Sequence, residues 1–308
     1  MELLKIILPY ILAGISVGGQ YALISIGYTM VYGILRLINF AHGDMFMAAG
    51  LIMVYLAQAL RLYVAIPVVI VIIAAVGFSI ERAAYKPLRG APRMSVMISA
   101  IGVSYLLQNL ALYITGGLPK NYPQIPWISD SITIFGVTTK RVVAVTPFFT
   151  AALVIALVLL INRTKTGMAM RAVAKDFETS QLMGIKINNV ISTTFVIGSI
   201  LAAIGSMLYF TNYPNVIPTA GAMPGLKAFV AAVFGGIGSI PGAVLGGIII
   251  GLSESIIKGL DTMLVQTGAI AAPLELTAFS DAFTFVLLIV ILVFKPTGLF
   301  GEKTADKV

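Results

Sequence analysis

The side chains able to do chemistry are few. His42 is the sole histidine, Asp44 lies two residues on, and Asn39 precedes both in a polar break between apolar runs. One imidazole, with no cysteine and few carboxylates nearby, cannot assemble the three or four soft ligands of a metal site. His42 therefore reads first as a hydrogen-bonding group that fixes the break, and second as a substrate contact. Glu254 and Lys258 stand four apart and form a local helical ion pair. Lys227 enters a glycine-rich stretch, where it either snorkels to an interface or offers its charge to a substrate carboxylate. Gln20, Tyr21, Ser25, Tyr28 and Tyr32 make a polar stripe, of which 21, 25, 28 and 32 follow helical spacing. Small and hydroxylated residues commonly pack helices together in membranes, and lining a passage is the other reading. Candidate pathway residues are thus Gln20, Tyr21, Ser25, Tyr28, Asn39, His42 and Lys227. This is little material for an enzyme. No glycine-rich phosphate loop ending in Gly-Lys-Ser/Thr is present. Any ATP hydrolysis falls to another chain, and no cofactor or metal is expected in this one.

The elements that must position these groups are set by hydropathy. Hydrophobic residues make up 59% of the 308, charged residues 10%, and the mean hydropathy is +1.01. A soluble domain carries roughly 25% charge. Apolar runs fall at about 7–34, 41–60, 64–84, 95–115, 144–161, 189–210, 226–258 and 281–294. A bilayer-spanning helix takes about 20 such residues. The expectation is an all-α polytopic transmembrane helical bundle of about eight spans, one domain over 1–308. The first run exceeds a secretory h-region and is expected to be retained. The net charge of +8 could suggest nucleic acid. The basic residues, however, sit in short loops between spans, which reads as a topology signal. The partner implied is the bilayer, not nucleic acid.

The run at 226–258 is too long for one span and is broken by Gly235, Gly236, Gly238, Pro241 and Gly242. Glycine favours non-helical torsions and proline removes a donor. At least one discontinuous or re-entrant segment is expected there, with a simple loop between two short helices as the alternative. Arg82, Lys86, Arg89 and Arg93 mark one basic loop. Arg163, Lys165, Arg171, Lys175 and Lys186 mark a second, and Lys295, Lys303 and Lys307 mark the tail. Positive-inside bias puts all three in the cytoplasm and the excursion 116–143 and acidic loop 259–280 outside. Span parity then puts the amino terminus outside, with Lys140 and Arg141 discordant. The polar segment 163–188 predicts a short amphipathic helix or helix pair ending near Gly184. It either rests on anionic lipid or docks a soluble partner.

Several strings carry a family resemblance. Tyr28-Thr29-Met30-Val31-Tyr32-Gly33 and Ile38-Asn39-Phe40-Ala41-His42-Gly43-Asp44 open it. Glu81 to Arg89, Ile98 to Gly102, Leu107-Gln108-Asn109, Gly167 to Ile185, Lys227-Ala228-Phe229 with Gly235 to Gly242, and Lys295 to Gly301 continue it in order. Together they resemble the permeases that import branched-chain amino acids in bacterial ABC transporters, the H-type subunit more than its longer M-type partner. The resemblance implies a multi-pass protein of the bacterial cytoplasmic (inner) membrane. It implies a second, M-type permease subunit, two cytoplasmic ATP-binding subunits that hold ATP and Mg, and a soluble extracytoplasmic substrate-binding protein. It implies an ATPase-docking segment carrying Arg171, Ala172, Lys175, Asp176, Glu178 and Gly184, with Ser180 and Gln181 departing from the commoner alanine-rich form. A urea or short-amide permease is the nearest alternative. A passive channel or secondary carrier gated at the glycine break is another.

Overall fold

The computed structural model describes residues 2–134, 136–266, 276 and 279–301. Each apolar run is helical. Helix α1 (Glu2–Leu35) runs unbroken through Pro9. It is followed by α2 (His42–Ala59), α3 (Leu62–Ile80) and α4 (Arg93–Thr115), α3 ending in a π turn over Glu81–Tyr85 and a 3-10 turn over Lys86–Leu88. After β1 (Lys120–Asn121), β2 (Ser131–Ile134) and β3 (Val137–Lys140) come α5 (Arg141–Arg163), α6 (Lys165–Lys175) and α7 (Phe177–Leu182). Then follow α8 (Ile187–Asn212), β4 (Asn215–Val216), α9 (Ala222–Gly235), α10 (Ile240–Gln266) and α11 (Phe279–Phe294). Six of these helices are long and apolar enough to cross a bilayer, and α9 and α11 are shorter apolar helices. The chain is a polytopic helical membrane protein.

The run 226–258 does not divide as two short pieces. A 14-residue α9 meets a 27-residue α10 at a turn over 236–239. The apolar run understates α10, because the helix continues past it to Gln266. The turn places Gly236 and Gly238 at φ near +105° and +103°, a region costly for any side chain. Its backbone is covered from the carboxyl-terminal side. The Leu299 and Phe300 amides donate to the Phe234 and Gly235 carbonyls at 2.9 and 2.8 Å. Ser239 Oγ accepts from the Gly242 amide at 3.2 Å and caps α10.

The basic stretches gather at one end. Arg89 bonds Asn188 at the start of α8, α6 continues from the end of α5, and Phe300 shares a cavity with Arg171 and Lys175. Helix α1 begins at the opposite end, where Tyr10 packs on Gly259. Lys303 and Lys307 of the tail, and Pro273 and Glu275 of the acidic loop, lie outside the described residues. The excursion 116–143 contributes strands to the otherwise helical chain. The β2–β3 hairpin pairs Ser131 with Lys140, and β1 pairs with β4. This hairpin also accounts for the discordant charges. Lys140 Nζ donates to the Asn212 carbonyl at 2.7 Å. Arg141 reaches Asp130 at 3.3 Å and stacks over Trp127.

The bundle closes around α1, which is buried along most of its length. Gly14 and Gly18 on α1 face Gly247 and Gly251 on α10. A Cβ on Gly18 would stand 2.7 Å from Ile248 Cα, and one on Gly247 would stand 2.6 Å from the Ala22 amide. Such four-residue spacing of small residues lets two backbones touch, and van der Waals contact replaces the hydrophobic drive that lipid cannot supply. Gly247→Val should cost roughly 1–3 kcal/mol through overpacking, read as a lower thermal midpoint of the detergent-solubilised protein. Gly90→Val, with open space at its Cβ, should leave that midpoint unchanged.

Candidate functional site

Two segments leave the helical state inside the bundle. Residues 36–41 return from the end of α1 as non-helical chain, with Arg36 at φ +54°, before α2 begins at His42. Residues 213–221, carrying Pro214, Pro218 and Gly221, run in from the far end before α9 begins at Ala222. The two helix starts abut. A Cβ on Gly43 would lie 2.8 Å from the Gly221 carbonyl and 2.9 Å from Gly225 Cα. Neither start carries a side-chain cap, the N-cap residues being Ala41 and Gly221. Asp44 marks the depth by bonding Ser104 on α4, eleven residues from either end of that helix (104 − 93 and 115 − 104). At 1.5 Å per residue this is about 16 Å, half of a hydrocarbon core of roughly 30 Å. Non-helical backbone survives at such depth only where protein or a wet cavity covers it.

A cavity of about 190 Å³ lies at this junction. Its polar wall is Asp44, Ser104, Gln108 and Tyr28, and its apolar wall is Phe40, Leu226 and Phe229. Asp44 Oδ2 accepts from Ser104 Oγ at 2.5 Å and Oδ1 from Gln108 Nε2 at 2.9 Å. Ser104 and Gln108 are four apart and present one face of α4.

The sequence candidates scatter around this junction. Of the stripe on α1, Tyr28 alone of the proposed pathway residues lines the cavity. Gln20 and Ser25 are buried elsewhere, with no side-chain hydrogen-bond partner among the described residues. Tyr21 donates to Glu254 Oε2 at 2.8 Å. Asn39 holds the break, its Oδ1 accepting from Tyr85 at 2.8 Å. His42 is buried at the start of α2, edge-on to Tyr28 at 4.9 Å and pressed on Gly27. It shapes the break without lining the cavity. Lys227 neither snorkels nor faces the cavity. Its Nζ pairs with Glu254 at 2.9 Å and with Asp281 at 2.5 Å. The expected Glu254–Lys258 pair is present too, so Glu254 ties α9, α10 and α1 together. Asp44 stood out in the sequence as a carboxylate inside an apolar run, which is costly and often functional. Its partners Ser104 and Gln108 did not, since nothing in the spacing ties them to it.

At the basic end, α6 and α7 form the expected helix pair. Thr164 caps α6 by accepting from the Gly167 amide at 3.1 Å, and Asp176 caps α7 by accepting from the Thr179 amide at 3.1 Å. Gly184 closes the segment at φ +82°. Arg171, Lys175 and Glu178 are exposed, Ala172 and Asp176 half-buried. Phe177, Leu182 and Met183 are exposed at 41%, 87% and 78%, an apolar patch that water would not favour. A cavity of about 500 Å³ joins Arg171 and Lys175 to Arg36, to Gly238 of the turn and to Pro241 in the first turn of α10. Gly235 and Gly242, flanking the turn, meet backbone to backbone.

The family of branched-chain amino acid transport system permease components matches residues 10–292. The chain belongs to this family. The high-affinity branched-chain amino acid transport system permease protein BraD of Pseudomonas aeruginosa is 39% identical over 98% of both chains. The corresponding protein LivH of Escherichia coli is 39% identical over 96% of both. A probable branched-chain amino acid transport permease protein LivH of Methanocaldococcus jannaschii is 27% identical over 91% of this chain and 88% of its own. The interrupted helices and their cavity therefore sit in a multi-pass permease component of a transport system.

The ion cluster of this permease tests by pairing. Lys227→Met should cost about 3 kcal/mol, the low end for breaking a buried pair, because Lys258 still reaches Glu254. The double variant Lys227→Met with Glu254→Gln should recover part of that loss, read by thermal unfolding in detergent.

Proposed function

We propose that this permease is a translocation subunit of an ABC importer for branched-chain and other hydrophobic amino acids in the bacterial cytoplasmic membrane. The near full-length likeness to permeases of high-affinity branched-chain amino acid systems carries the reading. The other parts are what the family likeness implies. The chain has no phosphate-binding loop, which fits hydrolysis on other chains, here two cytoplasmic subunits that hold ATP and Mg. A second, M-type permease subunit completes the pathway, and a soluble binding protein delivers substrate from outside.

The docking segment 163–188 supports this division of labour. Phe177, Leu182 and Met183 offer apolar contact, and Arg171, Lys175 and Glu178 offer charge around it. Closure of the ATPases on nucleotide would push this segment against the glycine turn across the shared cavity and rock the helices that meet there. Gly235, Gly236, Gly238, Pro241 and Gly242 then serve as the joint through which α9 and α10 move.

Replacing residues 171–178 with a glycine–serine linker should abolish ATP-driven leucine uptake in reconstituted vesicles while membrane insertion stays intact. Unchanged uptake removes the docking role. Affinity purification of the intact transporter should bring down a second permease and two ATPases, and isolation as a homomer that conducts alone contradicts the importer reading.

A further inference from the structure

The cavity at the junction of α2 and α9 has a charge arrangement that the importer reading does not itself supply. Asp44 is 2% exposed, and among the described residues no cation pairs with it. Ser104 and Gln108 bond both carboxylate oxygens as neutral donors, and the start of α2 offers it only a partial charge. A lone carboxylate at mid-bilayer is expensive, and its open side is the cavity.

The opposite wall has the opposite polarity. Helix α2 has its own anion, since Asp44 lies in its first turn. Helix α9 has no acidic residue in its first turn and no side-chain cap. The Ala222 and Gly225 amides there are bonded to the Thr219 and Gly221 carbonyls, and Pro224 has none, which leaves the Met223 amide. A helix start of this kind carries about half a positive charge. Beside it Tyr28, 7% exposed, lines the cavity. A Cβ on Gly225 would stand 3.4 Å from the Tyr28 hydroxyl, which puts that hydroxyl against the first turn of α9.

We propose that this cavity is a mid-membrane binding site for a zwitterionic aliphatic α-amino acid. The substrate ammonium pairs with Asp44. Its carboxylate lies at the start of α9 and accepts from Tyr28, and its side chain packs on Leu226 and Phe229. Paired charges enter low dielectric far more cheaply than single ones, so the zwitterion neutralises both ends of the site at once. The cavity of about 190 Å³ is well below the roughly 300–1,000 Å³ of pockets for drug-sized ligands. It suits a small amino acid. The proposal rests on the importer reading and names where, within one subunit, the substrate pauses.

The test is equilibrium binding of radiolabelled leucine to the purified full-length permease complex in the absence of binding protein. Wild type should bind saturably. Leucinamide, which lacks the carboxylate, and 4-methylpentanoate, which lacks the ammonium, should each compete at least about tenfold less well than leucine. Asp44→Asn should weaken leucine about tenfold and erase its advantage over 4-methylpentanoate. Absence of saturable binding up to roughly 10 mM, or equal competition by all three ligands in wild type, overturns the proposal without any variant. So does Asp44→Asn that binds and discriminates as wild type. ATP-driven uptake by the wild-type assembly is read separately. Uptake present with the site absent removes this inference alone, whereas no ATP-driven uptake at all removes the importer reading.

Discussion

Backbone that leaves its helix inside a bilayer must find its hydrogen bonds within the protein. This permease meets that constraint twice at one depth. Residues 36–41 and 213–221 both abandon helical geometry and both restart helices whose first turns touch through Gly43, Gly221 and Gly225. The surrounding spans exist in part to cover this junction. Helix α4 brings Ser104 and Gln108 to Asp44. The end of α3 brings Tyr85 to Asn39, and Tyr28 and His42 fill the space between the two breaks. The seam of glycines between α1 and α10 holds α1 rigidly against this cluster.

One short helix connects the two regions of interest. Helix α9 begins at the midplane cavity and ends at the glycine turn, which lines the basic-end cavity beside Arg171 and Lys175. Its 14 residues span about 21 Å at 1.5 Å each. Lys227, one turn in from its start, is anchored to Glu254 and Asp281. A displacement at the docking face therefore has a direct mechanical route to the cavity, through a rod pinned by an ion pair and jointed at glycine.

The sequence made some of this legible and hid the rest for physical reasons. Hydropathy located the helices, because lipid demands continuous apolar runs. The break at 236–239 announced itself through clustered glycine and proline, and the break before α2 through Asn39 and His42. The interruption at 213–221 was masked, because it lies between two apolar runs and reads as an ordinary loop. The Glu254–Lys258 pair was visible since helical spacing alone specifies it. The links of Lys227 to Glu254 and Asp281 were not, because they join separate helices. The same holds for Asp44, whose partners lie 60 and 64 residues away. Asp176 and Gly184 were read as docking residues. The structure shows what each also does locally, one capping α7 and the other ending the segment.

The central claim is that a polar cavity, reachable by water, lies between two interrupted helices at mid-bilayer depth. The chain has no cysteine, so single cysteines report cleanly. The decisive measurement is the reactivity of Ala222→Cys, on the cavity wall, toward a charged, water-soluble thiosulfonate in lipid nanodiscs. Val71→Cys, exposed on the apolar outer face of α3, is the comparison. Ala222→Cys should be modified from water while Val71→Cys stays unreactive. Equal protection of both positions would contradict the claim.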